Sequence, residues 1–188
     1  MLQIKEVTVG AVETCCYLLW DDTREDCIVI DPGDEAERIR KAAQGRRIAA
    51  ILLTHGHFDH IGAVKALMDT DTALVIHALD APMLLDAQQN ASFLIGHAVT
   101  ACAATRTVRE GDDLCYAGLT LHVLHTPGHT AGSVCYQMED CIFTGDTLFH
   151  HGYGRTDLPS GSMTQLRQSL ARLMPLVQQM EMYPGHGV

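Results

Sequence analysis

The densest group of chemically reactive side chains lies between positions 54 and 60, where three histidines and one aspartate fall within six positions: His55, His57, Asp59 and His60. Imidazole nitrogen and carboxylate oxygen are ligands that suit zinc, iron or manganese. In an extended segment His55 and His57 leave the same face, whereas Asp59 and His60 lie one turn further on and can point to a second place. A solvated turn is the plain alternative for a lone histidine, but a group this dense predicts a metal site.

The flanking residues place this group on a loop. An apolar run over 48–53 precedes it, and Ile61, Val64, Leu67 and Met68 follow with the spacing of a buried helix face. The loop therefore joins a buried strand to a helix, which is where open α/β sheets carry their chemistry.

Three further residues follow predicted strands at glycine-containing turns: His129, Asp146 and His186. With the first four they make seven candidate ligands. A catalytic metal needs three protein ligands and an open position, so seven ligands divide into two sets of three and one shared group. An aspartate is the natural bridge, because its two oxygens can span metals about 3.5–4 Å apart.

The remaining pattern is that of one α/β domain over residues 1–188, without a linker or repeat. Strands are predicted over 2–9, 15–20, 27–30, 48–53, 73–77, 105–108, 114–116, 119–125, 133–138, 141–144 and 180–183. Helices are predicted over 35–43, from 80 to about 89, and after Ser162, with Leu166, Leu170, Leu173 and Met174 at its apolar positions. Residues 90–104 are interpreted as a helical or looping cover over the site.

Composition limits the function. The 188 residues are 47% hydrophobic and 19% charged, as in ordinary globular proteins. The net charge of -10 argues against a nucleic-acid partner. No signal-peptide pattern and no apolar run near the ~20 residues of a membrane span is present. Seven scattered cysteines without a Cys-x-x-Cys pair indicate reduced thiols, so we expect a cytoplasmic protein without a membrane partner. The oligomeric state stays open.

The motifs resemble those of a known family. Residues 54–60, 126–130, 145–147 and 183–187, together with 29–33, are similar in order and over essentially the whole chain to metallo-β-lactamase-fold hydrolases. Residues 152–157 and the Pro-Gly-His-Gly ending are most similar to short glyoxalase-II-like hydroxyacylglutathione hydrolases. The resemblance implies a four-layer αββα sandwich with the metals at the edges of the sheets.

The resemblance also implies roles for the residues. His55, His57 and His129 would hold one divalent metal, Asp59, His60 and His186 a second, and Asp146 would bridge them. Zinc is the expected metal, with iron or manganese as alternatives. A hydroxide between the metals would attack a small thioester such as S-lactoylglutathione, with Asp59 and Asp146 as the catalytic carboxylates. Arg155 is expected to contact the substrate or to pair with Asp157, and Tyr153 is expected to cover the substrate or to pack against the protein.

Other functions remain open. A persulfide dioxygenase of this fold would use one iron held by two histidines and one aspartate. A nuclease of the superfamily is disfavoured by the acidic charge. A non-catalytic scaffold would not keep a full ligand set.

Two departures from the family matter. The basic C-terminal helical domain of glyoxalase II is missing from this sequence, which leaves binding of glutathione open, and Asp146 stands where lactamases usually have cysteine, so antibiotic hydrolysis is not expected.

Overall fold

A computed structural model describes residues 1–187. Its first sheet contains six strands that lie beside one another in chain order. They are β1 (Leu2–Val9), β2 (Thr14–Asp21), β3 (Asp26–Ile30), β4 (Arg47–Leu52), β5 (Ala73–His77) and β6 (Arg106–Val108). Strands β1 to β3 pair antiparallel, and β3 to β6 pair parallel. The parallel half is therefore the half that delivers the loop over 54–60.

The second sheet contains five strands in the order β11-β10-β9-β8-β7. They are β7 (Asp113–Tyr116), β8 (Leu119–His125), β9 (Val134–Met138), β10 (Cys141–Gly145) and β11 (Glu181–Pro184). All neighbours pair antiparallel except β10 and β11, which are parallel. Because β10 and β11 are parallel, the residues that follow their carboxyl ends meet at one edge.

The two sheets pack face to face and helices cover their outer faces. Strand β2 is buried throughout its first seven residues: Tyr17 and Leu19 pack between the sheets, whereas Cys16 and Leu18 pack against helices. The helices on this side are α1 (Ala36–Ala42), α2 (Phe58–Ile61) and α3 (Val64–Leu67), and α4 (Met163–Val177) covers the second sheet. The predicted αββα sandwich is confirmed.

Two helix predictions were wrong. The segment from 80 to 89 forms only a 3-10 helix over Ala81–Leu85, because Asp80 turns its side chain into the protein instead of capping a helix, and Asn90 binds the carbonyls of Met83 and Val99. The helix after the metal-site loop is split into α2 and α3. At the break, a Cβ on Gly62 would lie 2.2 Å from the carbonyl oxygen of Gly33.

The cysteines and the helices of the described residues bear on the predictions of reduced thiols and of no membrane span. All seven cysteines are free, and five of them are buried. Within residues 1–187, every helix is too short or too polar to cross a lipid bilayer.

Candidate metal centre

The site forms where four strands end. Strand β4 leads to His55 and β8 to His129, whereas β10 and β11 lead to Asp146 and His186. The Gly185 amide donates to the Gly145 carbonyl at 2.8 Å, which holds the last two loops together. A Cβ on Gly185 would lie 2.2 Å from Asp146 Oδ1, so only glycine allows this close approach.

Three imidazoles form the first group of the centre. His57 Nδ1 lies 2.9 Å from His129 Nε2, and His129 Nε2 lies 3.2 Å from His55 Nε2. All three rings are buried, and their mutual distances allow one ion to contact all three nitrogens. This is the set that the resemblance assigned to the first metal.

The second group consists of Asp59, His60 and His186, and Asp146 adjoins both groups. Asp59 Oδ2 lies 3.5 Å from His60 Nε2 and 3.3 Å from His186 Nε2. Asp146 Oδ2 lies 3.4 Å from His186 Nε2 and 3.5 Å from His129 Nε2, which belongs to the first group. The structure thus brings all seven predicted residues together, with Asp146 between the two groups. Their role as ligands stays a prediction.

The outer nitrogens of four rings have oxygen partners that set the tautomer. His55 Nδ1 lies 3.1 Å from Thr54 Oγ1, His60 Nδ1 2.9 Å from Asp31 Oδ2, His129 Nδ1 2.7 Å from the Arg155 carbonyl and His186 Nδ1 3.0 Å from the Val12 carbonyl. The Thr54 hydroxyl itself donates to Asp31 at 2.6 Å, so it accepts from His55. Each Nδ1 therefore donates outward, which leaves each Nε2 facing the cluster, the orientation that metal-binding histidines have.

The pKa values divide the rings into two kinds. Burial, reinforced by the neighbouring His129 ring, lowers the pKa of His57 to about 3, and burial together with His60 lowers that of His55 well below its usual value. Burial also opposes charge on His186, but its hydrogen bonds to Asp146 and Asp59 outweigh this effect and raise its pKa to about 9. His55 and His57 thus stay neutral, whereas the carboxylates beside His186 favour its positive charge.

Unpartnered polar atoms give a further test of metal fit. His60 Nε2 and Asp146 Oδ1 are buried without a hydrogen-bond partner, although they lie only 3.3 Å apart. An unsatisfied buried polar atom costs about 1–3 kcal/mol. A cation held between these atoms would satisfy both, so the donor set fits a pair of metal ions.

Asp31 is a residue of the site to which the sequence patterns gave no role. Its carboxylate accepts from the Thr54 amide at 2.8 Å and from His60 Nδ1. The residue holds this position with a φ of 49°, which aspartate tolerates better than most residues. Its only sequence signal was its place in the segment over 29–33 that resembles the family.

Asp80 was also missed, and no local pattern marks it. Its fully buried carboxylate accepts from the Gly132 amide at 2.7 Å, from the Gly56 amide at 3.1 Å and from the Thr130 hydroxyl at 2.6 Å. Burial raises the pKa of Asp80, and these hydrogen bonds act in the opposite direction. The carboxylate therefore ties the loop that carries His57 to the loop that carries His129.

A cavity of about 640 Å³ opens above the cluster. Arg155 lines it, but its guanidinium also binds the Asp157 carboxylate through two contacts of 2.7 Å. The structure places Tyr153 elsewhere: it lines a neighbouring cavity beside Leu170 and Met174. Substrate contact by Tyr153 stays a prediction, and the position of Arg155 is compatible with both of its predicted roles.

The other histidines lie outside the cluster. His122 pairs with Asp113 on the surface at 2.8 Å. His77 stacks on His125 with ring centroids 4.2 Å apart, and His125 Nε2 donates to the Ala131 carbonyl at 2.9 Å. These contacts give the three histidines structural roles away from the cluster.

A two-sheet sandwich with a buried His/Asp cluster suited to two metal ions defines the class of this protein. The family description "Metallo-beta-lactamase superfamily" matches residues 9–186. The chain belongs to this superfamily, whose members include metal-dependent hydrolases.

Some of the curated relatives carry functional names. The chain is 35% identical to "Probable metallo-hydrolase YqgX" of Bacillus subtilis, over 97% of this chain and 89% of the relative. It is 32% identical to "Hydroxyacylglutathione hydrolase GloC" of Haemophilus influenzae, over 99% of this chain and 91% of the relative. The similarity to both thus extends over nearly the full length.

Three solved structures are also similar. BLEG-1 B3 metallo-beta-lactamase has a TM-score of 0.92 at 36% identity, covering 99% of this chain and 92% of its own. TTHA1623 in a di-iron-bound form has a TM-score of 0.86 at 36% identity, covering 98% and 92%. ETHE1 from Myxococcus xanthus has a TM-score of 0.81 at 31% identity, covering 98% and 75%.

Proposed function

We propose that this protein is a dinuclear metal-dependent hydrolase of the glyoxalase II type, which cleaves a small thioester in the cytoplasm. The observation that carries the proposal is the position of Asp146 between two groups of three ligands, below a cavity of small-molecule size. Similarity to a hydroxyacylglutathione hydrolase over nearly the whole chain supports the thioester class.

The chain's own residues would hold the ions in the predicted sets: His55, His57 and His129; Asp59, His60 and His186; and Asp146 in both. When bound, two divalent ions would supply Lewis acidity, which lowers the pKa of water and polarises a carbonyl. We propose zinc, with iron or manganese as alternatives, since a His/Asp site accepts all three.

We propose that Asp59 orients the attacking water. Its Oδ2 accepts from the Thr14 hydroxyl at 3.4 Å and lies against His186, so the carboxylate is held at the floor of the cavity. Asp59 would accept a hydrogen bond from the water and direct its lone pair to the acyl carbonyl. The departing thiolate is a stable anion and needs little proton donation.

The test combines metal content with hydrolysis. We expect about two metal equivalents per chain by elemental mass spectrometry, and hydrolysis of thioesters in a screen that begins with S-lactoylglutathione. His57→Ala and Asp146→Asn should each lose metal and lower kcat/KM at least roughly 100-fold. His122→Ala is the matched control, because it removes an exposed histidine outside the cluster. Full metal content and full rate in both site variants would show the assignment to be wrong.

A persulfide dioxygenase is the second candidate, because ETHE1, a persulfide dioxygenase, is 31% identical to this chain. This function predicts one equivalent of iron and oxygen uptake with glutathione persulfide. A β-lactam is added to the screen because BLEG-1 is named a B3 metallo-beta-lactamase. Oxygen uptake or β-lactam cleavage in place of thioester hydrolysis would replace the proposed function.

A further inference from the structure

The wall of the cavity above the cluster has an unusual chemical character. It presents three aliphatic side chains with large exposed fractions: Val12 at 47%, Leu94 at 51% and Ile95 at 38%. Phe149 and Leu158 also line the cavity. Exposed aliphatic groups that border a cavity mark a surface that a ligand can cover.

The segment that carries Leu94 and Ile95 is held firmly in place. It is a 3-10 helix over Ser92–Ile95, flanked by Ala91 at a φ of 64° and Gly96 at a φ of 76°. The side chain of Asn90 anchors this segment. Its Nδ2 donates to the Val99 carbonyl at 2.8 Å, and its Oδ1 accepts from the Ser92 backbone amide at 3.0 Å. The exposure of Leu94 and Ile95 is therefore built into the loop.

The charges of the cavity do not suit a substrate arm with two carboxylates. In the described part of the chain, Arg155 is the only lysine or arginine that lines this cavity, and Asp157 already binds it twice. Glu6 and Glu13 also line it and add negative charge. Among the lining side chains an anionic arm would find only Arg155 as a lysine or arginine partner, whereas an apolar arm would cover the aliphatic wall.

We infer that the substrate is a thioester whose non-reacting arm is a short apolar chain that packs against Val12, Leu94 and Ile95. This inference rests on the proposed thioesterase function and specifies its substrate class. Burial of one CH₂ group multiplies binding by about fourfold, so kcat/KM should rise about two- to fourfold per CH₂ on this half-open wall.

Two substrate series test the inference and identify which arm is bound. The first varies the acyl group from acetyl to butyryl to hexanoyl on N-acetylcysteamine. The second keeps the acetyl group and varies the leaving group among ethane-, butane- and hexanethiol. We expect kcat/KM of the metal-loaded enzyme to rise with chain length in one series, and its longest member to exceed S-lactoylglutathione.

Matched variants test the wall itself. Leu94→Ser and Ile95→Ser should each flatten the rise of kcat/KM with chain length. Leu85→Ser is the control, because Leu85 is a 59% exposed leucine of another 3-10 helix and does not line the cavity. Its chain-length dependence should equal that of the wild type. Circular dichroism and metal content verify that each variant is folded, and Leu94→Ala and Ile95→Ala replace any variant that is not.

Each other outcome is decisive. Hydrolysis at equal rates along both series, or an unchanged slope in the Leu94 and Ile95 variants, would overturn the inference and leave the thioesterase function intact. Failure to hydrolyse any thioester would overturn the proposed function, and the inference with it. Sedimentation that shows a dimer dissociated by Leu94→Ser would identify the wall as an interface between two copies and overturn the inference.

Discussion

At the scale of single residues, the site depends on oxygen atoms that set the histidine tautomers. His60 is the clearest example. Its ring is fully buried, its Nδ1 contacts Asp31, and its Nε2 faces the cluster. Burial disfavours its charged form, but Asp59 and the other nearby carboxylates outweigh burial and raise its pKa well above the usual range. Because the Asp31 carboxylate fixes the orientation of the ring, His60 Nε2 points to the cluster, and the side chain need not rotate to reach it.

Replacing Asp31 tests this orientation. Asp31→Asn would place an amide where a carboxylate now accepts from His60 and Thr54, so the ring would lose its fixed tautomer. We expect about 10–100-fold weaker binding of metal by the second group, measured by competition with a chelator. Asp22→Asn, a change on the surface, is the control. Equal affinities in all three proteins would contradict the role of Asp31.

His77 makes a pH prediction away from the cluster. Burial, followed by the stacked His125, lowers the pKa of His77 to about 4 from 6.5, and its Nδ1 accepts from the Leu79 amide. Between about pH 6.5 and pH 4, His77 is protonated in the unfolded chain but remains neutral in the native protein. The free energy of unfolding therefore falls as the pH falls from about 6.5 towards 4. In metal-free protein, His77→Asn should reduce this fall in the urea midpoint. His122→Asn should follow the wild type, and parallel curves for His77→Asn would refute the prediction.

At the scale of elements, loops from different strands are joined by Asp80. The loop after β4 carries His57, and the loop after β8 carries His129. Neither loop contains a helix or strand that could hold the other loop in position. Asp80 accepts from amides of both loops, at Gly56 and Gly132. A Cβ on Gly132 would lie 2.5 Å from Asp80 Oδ1, which explains the glycine at this point.

Asp80→Asn should therefore disturb the first group while leaving the second in place. Each loop amide left without an acceptor costs about 1–3 kcal/mol of the free energy of unfolding. The visible spectrum of cobalt-substituted protein should report the loss of the three-histidine site. Thr130→Val should give a milder effect of the same kind and Thr130→Ser almost none, since serine keeps the hydroxyl that binds Asp80. Undiminished binding of two metals by Asp80→Asn would exclude this role.

At the scale of the molecule, the cluster lies across the join between the two sheets. His55 follows β4 of the first sheet, whereas His129 and Asp146 follow β8 and β10 of the second. The backbone also joins the sheets here, because the Val134 amide donates to the Thr54 carbonyl at 2.8 Å. Metal binding at this place would stabilise the packing of one sheet on the other.

Metal removal should thus lower global stability. A ligand at a thousand times its Kd stabilises the folded state by about 4 kcal/mol, which for a chain of this size corresponds to a fall in Tm of about 8–16 °C on removal. Scanning calorimetry with and without a chelator measures this change. Asp146→Asn, which lacks the shared carboxylate, should respond much less. Identical Tm values for the wild type in both conditions would contradict a structural contribution from the metal.

Local sequence patterns predicted most of the strands and the seven residues of the cluster. Both features are visible in short stretches of sequence. Apolar runs specify buried strands, and a His or Asp beside a glycine can be recognised where such a run ends. The ends of α2 and the failure of the helix over 80–89 were not predictable in this way. There, Gly62 packs on Gly33, and the side chain of Asp80 binds Gly132 rather than its own helix.

The sequence by itself thus determined the α/β class and the ligand chemistry of the cluster, because both follow from residue type and local spacing. The αββα sandwich was implied by the resemblance to the family. Only the tertiary structure decided which groups support and surround the cluster. Asp31 meets His60 and Asp80 meets Thr130 across 29 and 50 positions of chain. It also decided that Tyr153 lines another cavity. Contacts of this kind depend on how distant loops close upon one another, and local propensity carries no information about that closure.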